Sequence, residues 1–270
     1  MYINPNINHL YRVGNAHSRK GCLRLDMNEN PEGLPRKFVD HVLAQITPEF
    51  LASYPEKQPA IQALASYYQI GENQLDLFNG SDEAIRLIFE TFADPEKKIL
   101  ASDPTFAMYG VYAKMFGLEY ETVSYDTSFQ FPTDDFIRRI DDRTSLIFTL
   151  NPNNPIGTAF TMEEMEQIVK RAQDVGALVV IDEAYHYFYP NTFLELIPRY
   201  DNVIILRTFS KLFSLAACRL GVAISNPDII AVLSKANCSY NVNSIALKFA
   251  EELMKRPDLI QDLITIQLEG

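Results

Sequence analysis

Lys211 stands in the segment Arg207-Thr208-Phe209-Ser210-Lys211, directly after the apolar run 203–206, and Arg219 follows eight positions later. Upstream, Asp182-Glu183-Ala184-Tyr185 closes the apolar run 178–181, and Asn151-Pro152-Asn153-Asn154-Pro155-Ile156-Gly157 closes 146–150. Three apolar runs therefore each end in a polar cluster. Together the clusters hold an amine, a carboxylate, a phenol, an amide and a guanidinium. That set suits an aromatic aldehyde that also carries a phosphate, a ring nitrogen and a ring hydroxyl.

Pyridoxal 5'-phosphate (PLP) has those four handles. Lys211 is the candidate to condense with the aldehyde. An unperturbed lysine is almost wholly protonated at neutral pH, a penalty of roughly 4–5 kcal/mol for the neutral nucleophile. Burial and a nearby cation such as Arg219 would lower it, as a nucleophilic lysine requires. Alone, Lys211 would read as a surface lysine. Asp182 would face the ring nitrogen and keep it protonated, which makes the ring an electron sink. A carboxylate at the end of an apolar strand needs a cation or hydrogen bonds, and a helix cap is its bland alternative. Tyr185 and Asn154 are the natural donors to the ring hydroxyl, although Asn154 in a Pro-rich loop also suits turn chemistry.

For the phosphate, Gly80-Ser81-Asp82 opens a helical pattern whose free amides and dipole favour an anion. Thr208, Ser210 and Arg219 add hydroxyls and a guanidinium fork. By itself the Gly80 segment is an ordinary cap. Phe106, after Asp103-Pro104-Thr105, could stack on a pyridine ring or simply fill the core. Metal catalysis has little support, because His9, His17, His41 and His186 have no ligand spacing. A serine-nucleophile elbow is absent.

These side chains need strand ends to hold them. From about residue 80 the chain alternates between buried-strand runs (98–101, 120–123, 146–150, 178–181, 203–206, 221–224) and helical patterns (82–92, 106–116, 162–176). Thr161 and Glu164 have capping-box spacing. Such alternation predicts an α/β fold with a mostly parallel sheet covered on both faces. Ligands bind beyond the carboxyl ends of strands in such sheets, which is where the polar clusters fall. The first 50 residues are Pro- and Asn-rich with one amphipathic helix near 37–46. Residues 257–270 read as an apolar-faced helix with no later strand to cover it.

The bulk figures fit an ordinary globular enzyme: 270 residues, 47% hydrophobic and 22% charged. A net charge of -11 argues against a nucleic-acid surface. Three scattered cysteines, Cys22, Cys218 and Cys238, suggest a reducing, cytoplasmic setting. No signal peptide and no membrane-length apolar stretch is visible.

The combined motifs resemble the class I/II aminotransferases of PLP fold type I, and among them the histidinol-phosphate aminotransferase branch. The matching segments are Leu25-Asp26-Met27-Asn28-Glu29-Asn30-Pro31, Ser53-Tyr54-Pro55-Glu56-Lys57-Gln58-Pro59, Asn79-Gly80-Ser81-Asp82-Glu83 and Asp103-Pro104-Thr105-Phe106. They continue through 151–157, Asp182-Glu183-Ala184-Tyr185, the Lys211 segment and Tyr240-Asn241-Val242-Asn243. The resemblance covers nearly the whole chain.

It implies roles residue by residue. Lys211 would attach the cofactor, Asp182 would pair with the ring nitrogen, and Asn154 and Tyr185 would hold the ring hydroxyl. Phe106 would stack on the ring; Ser81, Asp82, Thr208, Ser210 and Arg219 would hold the phosphate. Tyr54 would cross to the phosphate of a neighbouring subunit, implying a homodimer. Tyr11, Asn28 and Glu29 would border the substrate. The implied organisation is an N-terminal arm (1–45), a large PLP-binding domain (46–255) and the start of a truncated C-terminal small domain (256–270), whose missing remainder would supply the substrate-clamping arginine. Family members usually carry glycine where this chain has Ser214 and Ala217, and proline at Ser239. The implied activity moves an amino group between an amino acid or amino-phosphate and a 2-oxo acid such as 2-oxoglutarate. A decarboxylase of the phosphothreonine type, or a non-catalytic PLP-binding or dimerisation fragment, remains open.

Overall fold

The computed structural model describes residues 1–8, 10 and 21–269. Among them seven strands form one sheet: β1 (Leu75–Phe78), β2 (Lys98–Asp103), β3 (Glu119–Ser124), β4 (Thr144–Leu150), β5 (Leu178–Asp182), β6 (Val203–Thr208) and β7 (Gly221–Ser225). Their order is β1-β7-β6-β5-β4-β2-β3. The run from β3 to β6 is parallel. Strand β7 is antiparallel to both β6 and β1, so it alone is reversed. Its first residue, Gly221, therefore lies at the edge where the other strands end.

The helices are α1 (Pro5–Asn8), α2 (Arg36–Leu43), α3 (Pro48–Ala52), α4 (Gln58–Tyr68), α5 (Ser81–Phe92), α6 (Met108–Phe116) and α7 (Thr133–Arg138). They continue with α8 (Met162–Asp174), α9 (Pro227–Lys235), α10 (Ser244–Met254) and α11 (Pro257–Glu269). Every residue of β4, β5, β6 and β7 is buried, as a sheet covered on both faces requires. Alternate strand residues feed two cores. Ile147, Val179, Ile181 and Ile205 pack on the side of α2, α4, α8, α10 and α11. Leu146, Phe148, Val180, Ile204 and Leu206 pack on the side of α5, α6 and α9. The predicted capping box is formed: the Glu164 N–H donates to Thr161 Oγ1 at 3.2 Å, and the Thr161 N–H donates to Glu164 Oε2 at 2.8 Å.

Three readings of the sequence need correction. Strand β1 lies before the predicted alternation; Asp76 interrupts its apolar pattern. Burial is tolerated there because Lys57 Nζ donates to Asp76 Oδ1 at 2.9 Å and Ser234 Oγ donates to Oδ2 at 2.9 Å. Helix α6 begins at Met108, two residues later than periodicity placed it. The apolar face of α11 is largely covered: Leu259, Ile260 and Leu263 are buried beside α10 and the turn at His186–Phe188, and only Ile266 and Leu268 in its later turns are exposed.

Candidate active site

Asp182 ends β5 beneath the edge predicted to bind ligand, and only 2% of its surface is exposed. Its carboxylate is kept satisfied by two donors. Tyr109 Oη donates to Oδ2 at 2.8 Å, and the Ala184 N–H donates to Oδ1 at 3.0 Å. Burial pushes the carboxyl up to about 6, while the Tyr109 and Ala184 hydrogen bonds and the Lys211 charge pull the other way. The alternative role as a helix cap does not hold, since Asp182 bonds within its own turn and the next helical turn begins at His186.

Lys211 lies beyond the end of β6 with its Nζ 5.5 Å from the centre of the Tyr185 ring. Burial lowers its ammonium below the ordinary lysine range; Arg219 lowers it further, against the opposing charges of Glu29 and Asp182. These are the directions the sequence called for. The amine donates to the Met27 carbonyl at 2.6 Å. On the same loop, Asn28 Nδ2 donates to Tyr185 Oη at 2.9 Å and to Asn154 Oδ1 at 3.3 Å. Residues from four separate segments, Met27-Asn28, Asn154, Tyr185 and Lys211, thus meet in one place. Asn28 has φ 52°, a conformation that asparagine tolerates better than most residues.

A second cluster forms a cradle at the N-terminus of α5. Gly80 has φ 82°, and a side chain there would collide with the Arg219 guanidinium. A Cβ on Gly221 would collide with the Ser81 amide nitrogen and the Gly80 carbonyl carbon. Both glycines are needed for this approach of backbone to backbone and backbone to arginine. Arg219 Nη1 donates to Ser210 Oγ at 3.3 Å and to the Ala216 carbonyl at 3.2 Å. The Ser210 N–H donates to Thr208 Oγ1 at 3.1 Å. Ser81 and Asp82 supply first-turn amides that an α-helix leaves without internal partners, and Asp82 Oδ1 is buried without a partner among the described residues. Arg219 at φ 55° and Ser214 at φ 54° are both left-handed, so Ser214 carries a side chain at a backbone position suited to glycine.

Phe106 packs edge-on against Tyr109, with ring centres 5.7 Å apart. Tyr54 stands apart from these clusters: it is 76% exposed and stacks on Tyr240 at 4.4 Å. Tyr11 lies outside the described residues. Glu29 acts on Lys211 through its charge.

Two groups of side chains escaped the sequence reading. Tyr109 sits three residues after Phe106, at the helical spacing read from the sequence, which is the signal that could have found it. Beneath Asp182, Arg207 donates to Glu183 Oε2 through Nε at 3.0 Å and Nη2 at 2.7 Å, and Thr192 Oγ1 joins them. The Arg207 guanidinium also lies 4.6 Å over the Tyr68 ring. Thr192 lies seven residues beyond the Asp182–Tyr185 motif, and no local spacing points to it.

The donor set fits PLP. The cradle is cationic and amide-lined, a buried carboxylate could accept from a ring nitrogen, and an amine with a lowered pKa lies within the influence of both the Asp182 and the Arg219 charges. Among the described residues no group of His, Cys, Asp and Glu could hold a metal ion, and no helix is long and apolar enough to cross a membrane.

Residues 20–269 match the family described as aminotransferase class I and II. The chain is 36% identical over 259 residues to a histidinol-phosphate aminotransferase of Bacteroides thetaiotaomicron, covering 93% of this chain and 70% of that protein. A histidinol-phosphate aminotransferase of Thermoanaerobacter sp. is 34% identical over 257 residues, covering 94% and 72%. The fold superposes with a TM-score of 0.85 on the histidinol-phosphate aminotransferase of Sinorhizobium meliloti solved with pyridoxal-5'-phosphate, at 22% identity, over 97% of this chain and 73% of that one. With its mostly parallel sheet and with this sequence match across most of its length, the chain belongs to the class I and II aminotransferases, a PLP-dependent family.

Proposed function

We propose that this protein transfers an amino group between an amino-phosphate of the histidinol phosphate type and a 2-oxo acid such as 2-oxoglutarate. The observation that carries the reading is the meeting of Lys211, Tyr185 and Asn154 above a buried Asp182, beside the Gly80–Arg219 cradle. The similarity to histidinol-phosphate aminotransferases supports the substrate class. PLP, when bound, supplies the electron sink.

The chain's own residues divide the remaining work. Lys211 would attach the cofactor, and its amine would carry a proton at the substrate carbon. Its lowered pKa favours both tasks. Asp182 would accept from the ring nitrogen, Tyr185 and Asn154 would hold the ring hydroxyl, and Phe106 would cover one face of the ring. The amides of Ser81 and Asp82, with Thr208, Ser210 and Arg219, hold the phosphate. Asn28 and Glu29 would border the substrate. A homodimer in which Tyr54 reaches the neighbouring phosphate, working in the cytoplasm, completes the reading; the exposure of Tyr54 supports that role. The large-domain limits 46–255 belong to the same proposal.

The test is an absorbance spectrum of the PLP-loaded chain before and after L-glutamate, followed by addition of 2-oxoglutarate. Conversion to the amine form of the cofactor, and its reversal, is the expected result. A chromophore unmoved by glutamate and by histidinol phosphate would overturn amino transfer. Borohydride treatment should fix the label on Lys211, and Lys211→Ala should lose it.

A further inference from the structure

Tyr109 has no part in the roles given above, yet it is among the largest fully buried side chains. It lies in the first turn of α6, its ring stacked on Phe148 at 4.7 Å and met edge-on by Phe106 at 5.7 Å. Its hydroxyl donates to Asp182 Oδ2 at 2.8 Å. Burial and the neighbouring Asp182 charge push the phenol well above its ordinary range, so it keeps its proton and acts only as a donor. A buried phenol with one proton, aimed at a buried carboxylate, is a directional contact. Packing alone would be met as well by phenylalanine.

Asp182 needs such a partner. Among the described residues no lysine, arginine or histidine forms an ion pair with it, so hydrogen bonds carry most of the offset to its burial, ahead of the more distant Lys211 charge. The Ala184 N–H satisfies Oδ1 from within the same turn. Tyr109 satisfies Oδ2 from a different helix, and so fixes the rotation of the carboxylate relative to α6. A donor to a carboxylate favours its charged form, and its removal favours the neutral acid.

Resting on the reading of Asp182 given above, we propose that Tyr109 is a positioning residue that holds Asp182 as an oriented hydrogen-bond acceptor for the cofactor's ring nitrogen. Its contribution is therefore specific to a ligand that has that nitrogen. A merely structural role would affect any ligand of the same shape.

The experiment compares the affinity of the cofactor-free protein for PLP and for its 1-deaza analogue, in which the ring nitrogen is replaced by C–H. Wild type, Tyr109→Phe, Asp182→Asn and the double variant are measured, with thermal melting as the check on folding. Tyr109→Phe should weaken PLP roughly tenfold, the scale of one charge-assisted hydrogen bond, and change the deaza analogue less than twofold. It should add no further selective loss in the Asp182→Asn background. Equal weakening of both ligands, or no weakening of PLP, overturns the proposal. If Asp182→Asn fails to reduce the preference for PLP, the assignment of Asp182 itself is at fault, a separate and visible failure. Should Tyr109→Phe not fold, Tyr109→Met carries the test, since it fills the slot without an O–H donor. A selective loss of PLP supports the proposal, and a non-selective one overturns it.

Discussion

Asn28 Nδ2 lies 2.9 Å from Tyr185 Oη and joins an N-terminal loop to the turn after β5 across 157 residues of chain. With the bond to Asn154 and the Lys211–Met27 contact it fastens residues 27–28 over the candidate cofactor pocket. Asn28→Gly keeps the left-handed backbone and deletes both amide bonds. Two such bonds, each worth about 0.5–1.5 kcal/mol, should govern how often this loop opens. Tryptic cleavage after Arg24 should accelerate roughly fivefold, with global stability changed by less than about 0.5 kcal/mol. An unchanged cleavage rate would show that the loop is held by other contacts.

Gly221 begins the one reversed strand and lies against the Gly80-Ser81 backbone. Both obstacles to a Cβ there are main chain, so no side-chain rotation relieves the clash. Gly221→Ala should cost about 1–3 kcal/mol by overpacking and should also displace the N-terminus of α5. Urea unfolding measures the first effect. Weaker binding of inorganic phosphate measures the second.

The strand alternation and the polar ends of β4, β5 and β6 were legible because apolar runs terminated by Asn, Asp, Tyr, Lys and Arg have few other uses in a covered sheet. Ser214 was also legible as a departure, and its φ of 54° gives the physical reason that glycine suits the position. Strand β1 was not legible, because Asp76 is compensated by Lys57 and Ser234 from elsewhere in the chain. The same holds for Tyr109 and for the Glu183–Arg207–Thr192 network. Their partners are 73, 24 and 9 or 15 residues away, and no periodicity encodes a tertiary hydrogen bond.

That network makes a quantitative prediction. The Glu183 and Arg207 side chains are 1% and 5% exposed, and they tie together the strand ends that carry Asp182 and lead to Lys211. Arg207→Met leaves a buried carboxylate with Thr192 and the Phe193 N–H as its hydrogen-bond donors among the described residues, and should cost about 3–5 kcal/mol. Glu183→Gln should cost a comparable amount. The double variant should be more stable than the sum of the single losses predicts, by more than 1 kcal/mol. Strict additivity in urea unfolding would mean that the two charges do not depend on each other.

Asp182 gives the pH dependence. Burial raises its carboxyl from the ordinary 3.8 to about 6, so the folded chain binds this proton more tightly than the unfolded chain. Its contribution to stability is therefore greatest below pH 4 and is lost as pH rises through about 6, on the order of 3 kcal/mol in all. His186 works in the opposite direction. Burial lowers its imidazole from 6.5 to about 4, and stability falls as pH drops through that interval. The difference in unfolding free energy between wild type and Asp182→Asn removes the His186 contribution, which both proteins share. In cofactor-free protein that difference should move against wild type between pH 4 and 6 and level off above about pH 7. A flat difference would mean that Asp182 titrates alike folded and unfolded. Saturating PLP should shrink or reverse the slope, because a protonated ring nitrogen beside the carboxylate favours its charged form.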